Sequence, residues 1–373
     1  MRTSLLVFIT TCLLISCKQK ATHTNNAHTT KSKVEADKPK QNATPVLNDE
    51  DALIYEEYFV KVPVSNFDPF KKPQTTISDP AKIEKILEQL FPGKLCSQNI
   101  TGENVPIIVW KTSSHKTKKM KAFFDDETDE FPLNGEDIAN ETRFEDSFYY
   151  QINNIHYYAF FFSSSDFDGQ VGFMRTGRFN CAALGVAVFK QNGNSWVLDF
   201  YNPAIGCFGM FGHPHKPHKI ALSKNEYGFH ISNGIQGAGG PYYGDLYFFK
   251  LSENIPQILF VSGTERFNTL FTNWWYNVET QTGVGNENYN LKINIEGYIN
   301  KDDLEVDEEK DWPKQYVKLV EKGGNYKFNH SQTFIPRTNG TYKLDKETFD
   351  YKSWPIDTVN GNTGSKQAWF LDF

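Results

Sequence analysis

FYYQINNIHYYAFFF, residues 148–162, sets two aromatic runs on either side of Asn153-Asn154. An asparagine pair between ring-rich segments suits a two-residue hairpin turn, because Asn tolerates the positive φ that right-twisted strands need at their tip. LGVAVFKQNGNSWVLDFY at 184–201 repeats the pattern, with Asn192-Gly193 between β-branched and aromatic runs. Further strands read out of YGFHIS (227–232), GDLYFFKL (244–251), QILFVSG (257–263), NLKINIEGYI (290–299), YKFNH (326–330) and TYKLD (341–345). Aromatic residues make up 15% of the chain, which suits the half-buried faces of twisted antiparallel sheets. No fixed-period repeat stands out, which argues against a regular propeller or solenoid.

One helix interrupts this pattern. In SDPAKIEKILEQLFPG at 78–93, Ser78 or Asp79 can cap the first turn and Pro80 suits the first helical position. Ile83, Ile86, Leu87, Leu90 and Phe91 fall on one helical stripe before Pro92-Gly93 ends it. The expectation is therefore a mainly β fold: an antiparallel β-sandwich or irregular β-barrel with one packed helix near residues 80–91. A boundary near residue 145 would separate an N-terminal α+β region (50–145) from a β-rich domain (146–373).

The chain of 373 residues carries a net charge of −6, and no basic stripe runs through the part expected to fold, so no nucleic-acid partner is expected. HKTKKMK at 115–121 is followed at once by DDETDE at 125–130, and charges that close neutralise each other on a hairpin or loop.

The N-terminus reads MRTSLLVFITTCLLISCKQK, with an arginine at Arg2 and an apolar run from Leu5 to Ile15. That pattern is a secretory signal peptide, too short to span a bilayer as a mature helix. Leu14-Ile15-Ser16-Cys17 resembles the lipobox of bacterial lipoproteins. The resemblance covers only this segment and implies cleavage after residue 16, with Cys17 carrying palmitate-type acyl chains. It places the protein in the cell envelope, anchored to a membrane by lipid and facing the periplasm. Residues 17–49 hold almost no large apolar side chain and read as a flexible tether.

With Cys12 removed and Cys17 lipidated, Cys96, Cys181 and Cys207 remain. An oxidising compartment favours one disulfide, and Cys181 with Cys207 is the first choice because a hairpin lies between them. GRFNCAALGVAVF at 177–189 resembles uncharacterised envelope proteins that place Cys-His-x-Cys before such a strand. Only the last cysteine matches, and no activity comes with it.

Two groups of residues invite a site. In GHPHKPHKI at 212–220 the prolines preclude a helix, so His213, His215 and His218 can converge in extended or polyproline geometry. With Cys207 and Met210 close by, the set would suit zinc or copper. An exposed turn explains the same composition, because no carboxylate is arranged to orient the imidazoles. The second group is Trp274 and Trp275 in NWWYN with Tyr242 and Tyr243, rings in polar surroundings such as peptide and glycan binders use. Core packing claims at least one ring of each pair.

A partial calcium loop at 163–170 lacks its first acid, and the glycine-rich 234–244 lacks the helix and Lys-Ser/Thr of a phosphate cradle. No complete catalytic set appears. The leading expectation is a lipid-anchored envelope protein whose β-rich module binds a protein, peptide or glycan partner. The rivals are a metal-handling protein using 207–218 and an envelope hydrolase acting on glycans.

Overall fold

The computed structural model describes residues 46–47, 62–100, 103–113, 117–119, 130–132, 139–167, 181–209, 212–236, 242–253, 255, 257–267, 273–282, 288–300 and 313–354. The segment read as a signal peptide, Cys17 and Met210 lie outside the described residues. The elements are β1 (Val46–Leu47), β2 (Val64–Ser65), β3 (Thr76–Ile77), α1 (Ile83–Leu90), β4 (Lys94–Ile100), β5 (Glu103–Thr112), β6 (Thr117–Lys119), β7 (Glu130–Pro132), β8 (Ala139–Ile152), β9 (Ile155–Phe167) and β10 (Ala182–Asn192). They continue with β11 (Ser195–Phe208), β12 (His218–Ala221), β13 (Tyr227–Gln236), β14 (Tyr242–Lys250), β15 (Ile258–Phe267), β16 (Asn273–Gln281), β17 (Asn290–Asn300), α2 (Lys314–Lys322), β18 (Asn325–Pro336) and β19 (Tyr342–Ser353).

These strands form two large sheets and one small one. The first runs β1-β4-β5-β8-β9-β10-β11-β3, with β2 added beside β5. The second is a meander from β12 to β19 in which every neighbour is antiparallel. β6 and β7 pair by themselves and join the basic run to the acidic one. The architecture is β-sandwich-like, and in the hydrogen-bonded order neither large sheet closes into a barrel.

Both expected hairpins form. Asn153 and Asn154 take φ of 48° and 63° at the β8–β9 turn, as the quoted stretch requires. At the second, Asn192 pairs with Ser195, so the turn residues are Gly193 and Asn194, one position later than the sequence suggested. Gly193 supplies the positive φ, 61°.

The phenylalanine run explains the layering. A strand buried on both faces loses its apolar–polar alternation, and Phe160, Phe161 and Phe162 are all fully buried. Phe160 and Phe162 face a core shared with α1, while Phe161 faces the second sheet and meets Phe229 with ring centroids 5.0 Å apart. On α1, Ile86, Leu87 and Leu90 are fully buried, each contributing about 1.5–3 kcal/mol of apolar burial. The helix starts at Ile83, later than Pro80, because the Asp79 carboxylate accepts from Ala81 N–H and closes a turn ahead of it.

The boundary expected near residue 145 falls inside β8, and Thr44–Phe373 is one compact unit. β8 runs 14 residues, paired with β5 at Asn140 to Arg143 and with β9 from Ala139 to Ile152, with a bulge between Phe144 and Asp146. Within the span read as a tether, Val46 and Leu47 pair in parallel with Ser97 and Gln98 of β4.

Helix α2 was not expected. It lies on the inner face of the second sheet, with the Tyr316 ring 5.2 Å from that of Trp274. Its hydroxyl is 2.8 Å from His330 Nδ1, whose Nε2 is 2.7 Å from Glu347 Oε1. The same sheet curls, so that Phe260 of β15 stacks on Phe248 of β14 at 4.1 Å and on Phe334 of β18 at 4.3 Å.

Candidate functional site

The histidine loop divides. Gly209, at φ 80°, gives its N–H to Asn233 Oδ1 at 2.8 Å and turns the chain so tightly that a Cβ there would lie 1.7 Å from the His213 carbonyl oxygen. Only glycine fits such a turn. Gly209→Ala should therefore cost at least about 2 kcal/mol, read as a lower urea midpoint. The turn carries His213 inward, buried, with Nδ1 3.5 Å from Arg143 Nη1.

His215 and His218 act on each other. His218 begins β12, pairs with His230 of β13 and stacks on it at 5.1 Å. Burial lowers the His215 pKa to about 4 and the His230 pKa to about 3, with His218 adding to both. His213 thus turns to a guanidinium while His218 turns to His230. Among the described residues no group of three His, Cys, Asp or Glu is placed to hold a metal ion. Cys207 is joined to Cys181 in a disulfide across β10 and β11, Cα atoms 5.4 Å apart, so it offers no thiolate.

Around His213 lies a charged layer between the sheets. Arg143 Nη2 donates to Glu141 Oε1 at 3.0 Å, both side chains almost wholly buried. Cys96 is a buried free thiol; burial pushes its pKa well above the usual range, Glu141 adds and Arg143 partly offsets. A thiol held neutral in this way is a poor nucleophile.

The tryptophan pair divides as well. Trp274 is buried in the core under α2, whereas Trp275 is 45% exposed on the other face of β16. The side chains of Tyr242 and Tyr243 lie outside the described residues, although their backbones pair in β14 with Phe267 and Arg266.

Strand alternation then builds a surface around Trp275. Successive side chains point to opposite faces, so residues in register across strands share a face. Trp275 pairs with Glu296, Glu296 with Asn329 and Asn329 with Asp350, which makes one row across β16, β17, β18 and β19. The next row is Asn277, Asn294, Ser331 and Thr348. Both rows line a depression of about 290 Å³, with Glu279 at its edge.

Some of these groups bond to one another: Ser331 Oγ donates to Asn294 Oδ1 at 2.9 Å, and Asn277 Nδ2 to Glu279 Oε1 at 3.3 Å. Beside Trp275 stands the Tyr298 ring at 5.9 Å, and Trp354 lies 4.3 Å beyond that. The surface offers a flat ring for an apolar C–H face, with carboxylates and amides beside it to hold hydroxyls or amines.

Glu296, Asn329, Asp350, Tyr298 and Trp354 were not picked out from the sequence. Each strand alone shows only polar residues alternating with apolar ones, and the register that assembles the row is tertiary. Comparison with known protein families, curated proteins and solved structures finds no match to this chain.

Proposed function

We propose that the protein is a lipid-anchored envelope module that binds a glycan on the outer face of β16 to β19. The observation carrying this reading is Trp275, an indole 45% exposed at the head of a row of carboxylate and amide side chains. The Trp275 ring rests against Tyr298 but leaves nearly half its surface in water, while Trp274 next to it serves the core. A pyranose has an apolar C–H face and a rim of hydroxyls, and the row meets both: the indole takes the face, and Glu296, Asn329 and Asp350 take the rim.

Glycan-array screening of the detergent-solubilised chain, followed by calorimetry on the best ligand, tests the reading. Trp275→Ala should weaken binding at least tenfold, about 1.4 kcal/mol or more, and leave the urea midpoint nearly unchanged. Trp274→Ala should do the reverse in kind, costing about 3–5 kcal/mol of stability through a core cavity. A Trp275→Ala protein that binds the ligand like the wild type would remove the indole from the site.

The anchor rests on Leu14-Ile15-Ser16-Cys17. Metabolic labelling with an alkyne fatty acid should mark the wild type and leave Cys17→Ser unmarked. Equal labelling of the two would overturn the lipid assignment.

A further inference from the structure

We infer that the sugar favoured by this groove carries a protonated amine, an inference that rests on the glycan reading above. The carboxylates of the lining differ in what they already hold. Glu279 accepts from Asn277; among carboxylates that do not line the groove, Glu226 meets Lys250, Glu88 meets Lys85 and Glu347 meets His330, itself a lining residue. Glu296 and Asp350 have no side-chain hydrogen bond or ion pair of this kind among the described residues.

Those two carboxylates flank Asn329 in the row that starts at Trp275. Neighbouring strands lie about 4.8 Å apart, so Glu296 and Asp350 sit roughly 10 Å apart at the backbone, close enough for both to act on one sugar residue. No lysine or arginine lines the depression. The adjoining row carries two lysines, Lys327 and Lys352, neither of which lines the depression; Lys327 lies over the Tyr298 ring, 5.4 Å from its centroid.

Two like charges held near each other with no cation between them repel, and a bound ammonium relieves that repulsion. An N-acetylated sugar of the same shape carries no charge and gives no such relief. A uronic acid adds a third like charge and is disfavoured.

The test titrates the detergent-solubilised full chain with three oligosaccharides of equal length: glucosamine, N-acetylglucosamine and a uronic acid. A slightly acid pH keeps the amine charged and most carboxylates ionised. The glucosamine oligomer should bind about tenfold more tightly than its acetylated counterpart, and added salt should shrink that ratio. A Glu296→Gln/Asp350→Asn double variant should bind the two alike while remaining sensitive to Trp275→Ala.

If the acetylated or uronic oligomer binds as tightly as the free amine, and Trp275→Ala still weakens it, the amine inference falls and the glycan reading stands. A preference for the amine that persists in the double variant also overturns the inference. If none of the three binds and the glycan array is silent, both fall.

Discussion

Arg143→Met will destabilise the protein by about 3–5 kcal/mol, because it leaves the Glu141 carboxylate buried without that guanidinium. Arg143 and Glu141 are 2% and 4% exposed, so water cannot replace the lost partner. The loss would be a large fraction of the 5–15 kcal/mol that holds a typical domain folded. Urea denaturation of four proteins measures it: wild type, Arg143→Met, Glu141→Gln and the double variant. The double variant should recover much of the loss, since removing both charges also removes their desolvation cost. Strictly additive losses would mean that the two charges do not depend on each other.

Acidification is the second large effect. His230 has a folded pKa of about 3 against 6.5 for a free histidine, because burial disfavours its charged form and His218 adds to this. Below pH 6.5 the unfolded chain takes up the proton and the folded chain does not, so stability falls as pH falls towards the folded value. Each pH unit in that window costs about 1.4 kcal/mol, on the order of 4 kcal/mol for the full traverse. His215 and His330 act in the same direction, both lowered chiefly by burial.

Glu347 enters only at lower pH. Burial opposes its ionisation, but hydrogen bonds from Gln332 and His330 outweigh that and hold its pKa below 4.5. Urea midpoints between pH 7 and 4.5 therefore read mainly the histidines, with Asp245, its pKa raised by burial, acting in the opposite direction. His230→Phe should flatten part of the slope: Nδ1 has no hydrogen-bond partner to lose, and the rings of Phe248 and Tyr276 lie 5.5 and 6.1 Å away. An unchanged slope in that variant would show that His230 does not carry the effect.

What the chain's own order determines is local. Asn153-Asn154 and the residues around Gly193 specify hairpins because their backbone preferences act without help from the rest of the molecule. The stripe from Ile83 to Phe91 specifies α1 for the same reason. Cys181 and Cys207 flank one hairpin, so the turn between them brings the two together. The unbroken Phe160-Phe161-Phe162 run states that β9 is covered on both faces. Helix α2 was legible in part, since Tyr316, Val317, Leu319 and Val320 follow helical spacing, but nine residues beside a charged segment make a weak stripe.

The tertiary structure decided where those elements aim their side chains. Sequence spacing allowed His213, His215 and His218 to meet, but the turn at Gly209 carries His213 to Arg143, and β12 pairing sets His218 on His230. NWWYN could not say which indole is outside; the register with β17 and the packing of α2 put Trp274 in and Trp275 out. Glu296, Asn329 and Asp350 become neighbours of Trp275 only because three strands, separated by loops and a helix, align within one residue of register. A slip of one would turn each of them to the opposite face. Backbone preference acts over a few residues, whereas register is set by the whole sheet.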